Sequence, residues 1–379
     1  MPTIAINLRD KVTAERLFSY PNEGHENDTL EQTIDHYFRD SLSREGLTNF
    51  IIAPGGDGTG YWVQITLADA SVAEQIRSNY QAFFDVGLIG SQDAEAFKAT
   101  GNWAATWKFL LPLGVPIAFA LAVEVMDFPP LTLIDNQDYL KSKTTSRWWE
   151  LLIANGVSEA EKARYSCICD IVPVAAKASD GTVLDKSGIY NGPFDSYSLA
   201  LLELLAASQV AGAQRPLMAL GMPIRTWILR LWNLAINVGD VGTIKLNNGA
   251  SCAVMASNHP SFFYYAVHSN SGPGADAKNL AAGLAVLKQD IVAAAWQAEM
   301  GRNPQLDPHT TLTQCQQIWA NRDDELIEIV KRQGGITAPQ VLAFSPTDVI
   351  EFLPTAPDLR LLERRFYLEG RKYLAEEFW

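Results

Sequence analysis

Between residues 109 and 275 the chain alternates short, continuously apolar runs with helical stretches, and this alternation restricts the fold more than any other feature. The apolar runs lie at 116–125, 165–174, 216–220 and Ser251–Ser257, with helical patterning at 146–155, 196–209 and 224–234 between them. Strands that are apolar on both faces and separated by helices indicate a parallel sheet covered on each side, an α/β/α arrangement. Ligands of such sheets bind beyond the carboxyl ends of the strands. The residues to examine are therefore Asp127 after the first run, Asp170 within the end of the second, Gly221 after the third, and Asn258-His259-Pro260-Ser261 after the fourth.

The flanks have a different texture. Before residue 109 the pattern is mixed: a helix at 29–45 opened by Thr29-x-x-Gln32, strands at 49–54 and 61–67, and a helix at 71–84. After residue 276, helices are expected at 277–300, 310–333 and 358–376, with no chemistry attached to them. The expected organisation is an N-terminal α+β accessory region (1–108), a parallel-sheet core (109–275) and a helical C-terminal extension (276–379). Between the two N-terminal strands sits Gly55-Gly56-Asp57-Gly58-Thr59-Gly60. This run is similar to the GGDGT phosphate loop of the NAD kinase and diacylglycerol kinase families. That loop is followed by a helix whose N-terminus completes the phosphate site. Here a strand pattern follows, so a Gly- and Asp-rich hairpin turn is the first reading and a phosphotransferase loop the alternative.

Composition narrows the function classes. The chain carries 43 acidic and 30 basic side chains, a formal net charge of −13, which argues against an indiscriminate nucleic-acid coat. The charge is uneven: residues 1–100 hold 7 basic and 15 acidic groups, 101–270 hold 12 and 13, and 271–379 hold 11 and 15. A phosphate-facing surface is accordingly sought in the nearly neutral middle. The four cysteines, Cys167, Cys169, Cys252 and Cys315, lack metal-ligand spacing and read as reduced thiols of a cytoplasmic protein. No metal and no cofactor is implied. The apolar stretch 109–125 is broken by Pro112, Gly114 and Pro116 and is too short to span a bilayer, so no membrane partner is expected.

Taken in order, the strand ends resemble the uracil-DNA glycosylase superfamily. The pieces are Val125-Met126-Asp127-Phe128-Pro129-Pro130, Cys167-Ile168-Cys169-Asp170-Ile171-Val172-Pro173-Val174, Leu217-Met218-Ala219-Leu220-Gly221 and Asn258-His259-Pro260-Ser261-Phe262-Phe263. They are similar to the family's GQDPY-type motif, its second strand, its third strand with following glycine, and its HPSPLS-type motif. The resemblance implies a glycosylase that flips a base out of duplex DNA and hydrolyses its N-glycosidic bond. Asp127 would stabilise positive charge on the sugar and orient water, and His259 would donate to the base oxygen where negative charge collects. Taken singly, an Asp opening a Pro-rich turn and a His capping a strand are the structural alternatives. Ser261, Phe263 and Arg225 would contact DNA, Phe263 as the wedge that fills the gap left by the flipped base. Arg147, Lys177 and Arg230 are further candidate phosphate contacts, with surface solvation the default reading for them and for Arg225, and core packing the alternative for most of the rings at 262–265.

Two departures from the family pattern bear on the substrate. The base-reading position of the second strand is an amide in the uracil enzymes and here is Asp170, whose ionised carboxylate only accepts hydrogen bonds. The exocyclic amine of cytosine is the matching donor. A backbone-bonded structural aspartate is the other reading of Asp170. The second departure is Phe128, followed by two prolines, where the family has a tyrosine that closes the pocket. An open wall would admit a bulky C5 substituent. The expected substrate is a modified cytosine, such as glucosylated hydroxymethylcytosine of phage DNA, as in anti-phage glycosylases. Excision of unmodified cytosine would be toxic to the host. The alternative class is a non-catalytic module that binds modified DNA or protein on the same fold.

Overall fold

The computed structural model describes residues 1–18, 27–44, 46–98, 123–126, 143–158, 161, 168–171, 195–206, 215–271 and 274–335. They form a mixed α/β protein whose chain divides into two compact units. One is drawn from Met1–Tyr139, Ser158–Arg215 and Lys245–Cys252, the other from Leu140–Val157, Pro216–Ile244 and Ala253–Trp379.

In the first unit, β1 (Thr3–Asn7), β2 (Phe50–Asp57) and β3 (Gly60–Leu67) form an antiparallel sheet in the order β1-β3-β2. Strict alternation puts Ile4 and Ile6 of β1 and Tyr61, Val63, Ile65 and Leu67 of β3 on the buried face. The helices α1 (Lys11–Leu17), α2 (Leu30–Arg44) and α3 (Ala73–Lys98) complete this part. Its core is aromatic: Phe38 and Tyr80 meet edge to face at 4.7 Å, with Phe18, Tyr37 and Phe84 around them. The buried Tyr80 hydroxyl is satisfied by Ser41 Oγ at 2.6 Å. At the start of α2, the Thr29 N–H donates to Gln32 Oε1 (2.8 Å) and the Gln32 N–H to Thr29 Oγ1 (3.3 Å). This is the reciprocal capping that Thr29-x-x-Gln32 anticipates.

The 55–60 glycine run is the β2–β3 hairpin. Asp57 pairs with Gly60, and the Asp57 carboxylate accepts from the Thr59 N–H at 2.7 Å and from the Thr59 hydroxyl at 2.5 Å. Those two hydrogen bonds hold the Asp57 carboxyl below its ordinary range. A Cβ on Gly56 would sit 2.6 Å from the Gly60 carbonyl oxygen and 2.7 Å from the Tyr61 ring. The glycine therefore serves strand pairing. Since a strand follows the turn where a phosphate loop requires a helix N-terminus, the phosphotransferase alternative is withdrawn.

α4 (Lys143–Ala154) belongs to the second unit, whereas β4 (Val123–Met126), β5 (Ile168–Asp170) and α5 (Asp195–Ala206) belong to the first. β4 and β5 are parallel, with Glu124, Val125 and Met126 opposite Ile168, Cys169 and Asp170. α5 is tied to the residue after β5 by the Ser198 hydroxyl, which donates to the Ile171 carbonyl at 2.7 Å.

In the second unit, β6 (Leu217–Leu220) runs parallel to β8 (Ser251–Ser257), in register from Leu217 opposite Val254 to Leu220 opposite Ser257. β7 (Val241–Lys245) lies on the other side of β8. Just before β7, the Ala256 N–H donates to Asp240 O and the Gly239 N–H to Ala256 O, an antiparallel exchange. Every residue of β6 is buried, and so is every residue of β8 after Ser251. The helices are α6 (Met222–Trp232), α7 (Phe262–Val267), α8 (Ala275–Arg302), α9 (Pro308–Trp319) and α10 (Asp323–Gly334). α8 is buried on nearly all sides and is the central helix of the unit, as an Ala- and Leu-rich helix without a polar face must be. The expected 310–333 helix is two helices, α9 and α10. Asp307 caps the first, and Asp323, Asp324 and Glu325 place negative charge at the N-terminus of the second. The expected 358–376 helix lies outside the described residues. Among the described residues no helix is long and apolar enough to cross a membrane.

Candidate active site

Each parallel pair brings two strand ends together. In the first unit β4 and β5 end in register at Met126 and Asp170. Asp127 is next in sequence after Met126; it lies outside the described residues, as do Phe128 and Lys177, and Asp170 is described by its backbone alone. In the second unit β6 and β8 end at Leu220 and Ser257, so Gly221 and Asn258 leave the sheet side by side. Gly221 donates its N–H to the Ser257 carbonyl at 3.0 Å with φ of 98°, and α6 starts at the next residue. A side chain at this φ would be strained, which accounts for the glycine.

His259 is half-buried at the β8 end. Its Nδ1 lies 2.6 Å from Ser261 Oγ and 3.3 Å from the Ser261 backbone nitrogen. A backbone N–H can only donate, so Nδ1 is an acceptor here, and the neutral ring carries its proton on Nε2. The imidazole is thus a hydrogen-bond donor through Nε2. Ser261 is buried at 4% exposure, and its hydroxyl serves this ring, which corrects the expectation that it faces DNA. The His259 carbonyl accepts from the Phe262 N–H at 2.8 Å, closing the turn into α7.

Beneath the turn lies a fully buried ion pair that sequence reading missed. Arg147 of α4 and Asp290 of α8 approach to 2.7 Å with both side chains wholly inaccessible to solvent. Asp290 Oδ1 accepts from Asn258 Nδ2 at 3.0 Å and from the Ser257 hydroxyl at 3.3 Å. Asn258 Nδ2 also donates to Gln289 Oε1 at 3.2 Å. Arg147 Nη1 donates to the Pro260 carbonyl at 3.3 Å, and the guanidinium lies over the Phe263 ring at 4.3 Å. Burial raises the Asp290 carboxyl above its ordinary range, and the Arg147 charge with the Asn258 and Ser257 hydrogen bonds acts against that rise. One signal for the pair was present in the sequence. Asp290 falls on the stripe of α8 that contains Val286 and Ala294, and an ionisable group on an apolar stripe requires a partner.

Two further expectations are corrected. Phe263 is 0% exposed, with its ring against Arg147 and Gly283, so it is a core residue and no DNA wedge. Arg147 is consumed by Asp290 and cannot reach a phosphate. Arg225 sits half-buried in the first turn of α6, and Arg230 is exposed in the last. Tyr264 and Tyr265 are the partly exposed rings of α7. Among the described residues, no three His, Cys, Asp or Glu side chains gather to hold a metal ion. Comparison with protein-family models, curated proteins and solved structures finds no match.

Proposed function

We propose that the chain is a DNA glycosylase that hydrolyses the N-glycosidic bond of a flipped, modified cytosine-type base and leaves an abasic site. The observation that carries this reading is the oriented imidazole at the β8 end: the Ser261 N–H and hydroxyl both meet Nδ1, which places the proton of the neutral ring on Nε2. Such a group stabilises negative charge as it develops on a leaving base. Water adds to C1′ of the sugar, and the base departs with the bonding electron pair and takes a proton. Asp127 stabilises the sugar cation and orients the water. Asp170 accepts from the exocyclic amine of the base, and an open wall at Phe128 admits a C5 substituent such as a glucosylated hydroxymethyl group. Support for Asp127 and Asp170 acting together comes from the parallel register that ends β4 and β5 at the same level.

The second reading is a non-catalytic module on the same fold, a reader of modified DNA or a binder of protein; the net charge of −13 limits how tightly DNA is held and so favours the protein-binding form of it. Duplexes containing uracil, cytosine, hydroxymethylcytosine or glucosylated hydroxymethylcytosine, incubated with the protein and then cleaved with alkali, separate the two. The glycosylase reading expects strand breaks at the modified cytosine that Asp127→Ala abolishes and His259→Gln strongly reduces. Absence of breaks above the Asp127→Ala background overturns it. Retained binding to the modified duplex in both variants, without cleavage by the parent protein, establishes the reader.

A further inference from the structure

We propose that the buried Arg147–Asp290 pair is the positioning device for His259, setting the direction in which Nε2–H points. The proposal rests on the reading of His259 as the donor to the leaving base. The two charges grip the turn on both sides of the histidine. Asp290 takes the side chains of the two preceding residues, Ser257 and Asn258, and Arg147 takes the carbonyl of the following residue, Pro260. The grip extends to the helix after the turn, because the guanidinium rests on Phe263 of α7. Its two halves come from separate helices that are themselves fastened together. Trp148 Nε1, next to Arg147, donates to Gln297 Oε1 of α8 at 2.8 Å, and at the other end of α4 Asn155 Nδ2 donates to the Ile291 carbonyl at 3.3 Å. Any rotation of α4 against α8 would thus be transmitted to the backbone that carries the imidazole.

A buried ion pair is poorly explained as a source of stability. Removing two ions from water costs several kcal/mol each, and apolar residues of similar volume usually stabilise a core as well or better. What the pair supplies that Leu and Met do not is direction: a fixed acceptor for Asn258 and Ser257 and a fixed donor for Pro260. Ser261 then locks the ring on a turn that is already placed.

The test compares the parent protein with Asp290→Asn and with the double variant Arg147→Met, Asp290→Leu. The double variant leaves no uncompensated charge and fills similar volume, so it is expected to fold, with any fall in urea midpoint limited to the hydrogen bonds that Ser257, Asn258 and Pro260 give up. Two-bond proton–nitrogen correlation spectra of histidine-labelled protein, assigned with His259→Gln, read which ring nitrogen of His259 carries the proton. The parent is expected to show the Nε2–H tautomer alone, and the double variant a mixture of both tautomers. With a cleavable duplex, kcat of the double variant is expected to fall about 100-fold at unchanged KM, because misdirection of a donor costs transition-state stabilisation and spares ground-state binding. An unaltered tautomer and unaltered kcat in the folded double variant overturn the proposal, and so does a mixed tautomer in the parent protein. The tautomer readout does not depend on turnover. A tautomer change in a protein that cuts no duplex therefore refutes the glycosylase reading and upholds the positioning role.

Discussion

Phe263→Ala distinguishes a core ring from a DNA wedge by a quantity the structure fixes. The ring is fully buried, lies 3.5 Å from the place a Cβ on Gly283 would occupy, and carries the Arg147 guanidinium over its face at 4.3 Å. An aromatic side chain of this kind buries on the order of 150 Å², which at about 25 cal/mol per Å² corresponds to about 4 kcal/mol. That agrees with the ~3–5 kcal/mol measured for Phe-to-Ala changes in cores, cavity included. The desolvated cation–π contact adds about 2 kcal/mol, part of which is the same burial counted again, so about 4–5 kcal/mol is expected. Taking ~2–3 kcal/mol per molar urea, the midpoint for the second unit falls by roughly 1.5–2 M. The assay is urea unfolding followed by tryptophan fluorescence, with Trp148, Trp227, Trp296 and Trp319 reporting from buried positions. A midpoint shift below about 0.3 M, accompanied by weaker binding to duplex DNA, would refute the reasoning and restore the wedge.

Two more outcomes follow from packing and from thiol burial. A Cβ on Gly283 would stand 2.4 Å from Val267 Cγ1, so Gly283→Ala is expected to destabilise by about 1–3 kcal/mol, and Val267→Ala in the same chain to restore part of the loss in the same urea titration. Burial pushes the Cys252 thiol up to about 12 and the Cys315 thiol, which Glu299 also opposes, up to about 11. At pH 8 roughly 1 in 10,000 of the former and 1 in 1,000 of the latter is thiolate, so mass-spectrometric mapping after iodoacetamide should find both unmodified in the folded protein and alkylated in urea. Alkylation of Cys252 at the rate of a free thiol without denaturant would contradict its place in β8.

Legibility in the sequence followed the range of the interactions. Ser251–Ser257 matches its expected bounds residue for residue, because a run buried on both faces is specified by its own side chains. The α2 cap and the β2–β3 turn are also local, written within four residues each. The short elements β1, α1, β7 and α7 were not seen. β1 is five residues long and gains its meaning only from pairing with β3, while β7 carries Gly242, which weakens any strand signal. The break between α9 and α10 was written in the acidic run at Asp323, but helix periodicity on either side masked it. Arg147 reads locally as a candidate phosphate contact because its partner, Asp290, comes from a helix far along the chain. No local pattern distinguishes an arginine that meets DNA from one that meets a buried carboxylate.

These corrections converge on one feature of the candidate site. Arg147, Ser261 and Phe263 were each expected to face the nucleic acid, and each is turned inward. Arg147 holds the Pro260 carbonyl, Ser261 holds the imidazole, and Phe263 supports the guanidinium. The motif after β8 therefore spends its polar and aromatic groups on fixing a single ring. The cation beneath the turn is neutralised by Asp290 and contributes little to attracting phosphate. A site so arranged draws on orientation more than on charge. That is the arrangement a chain of net charge −13 requires if it is to act on DNA, since its selectivity must then come from the shape and hydrogen bonding of the pocket and not from a basic surface.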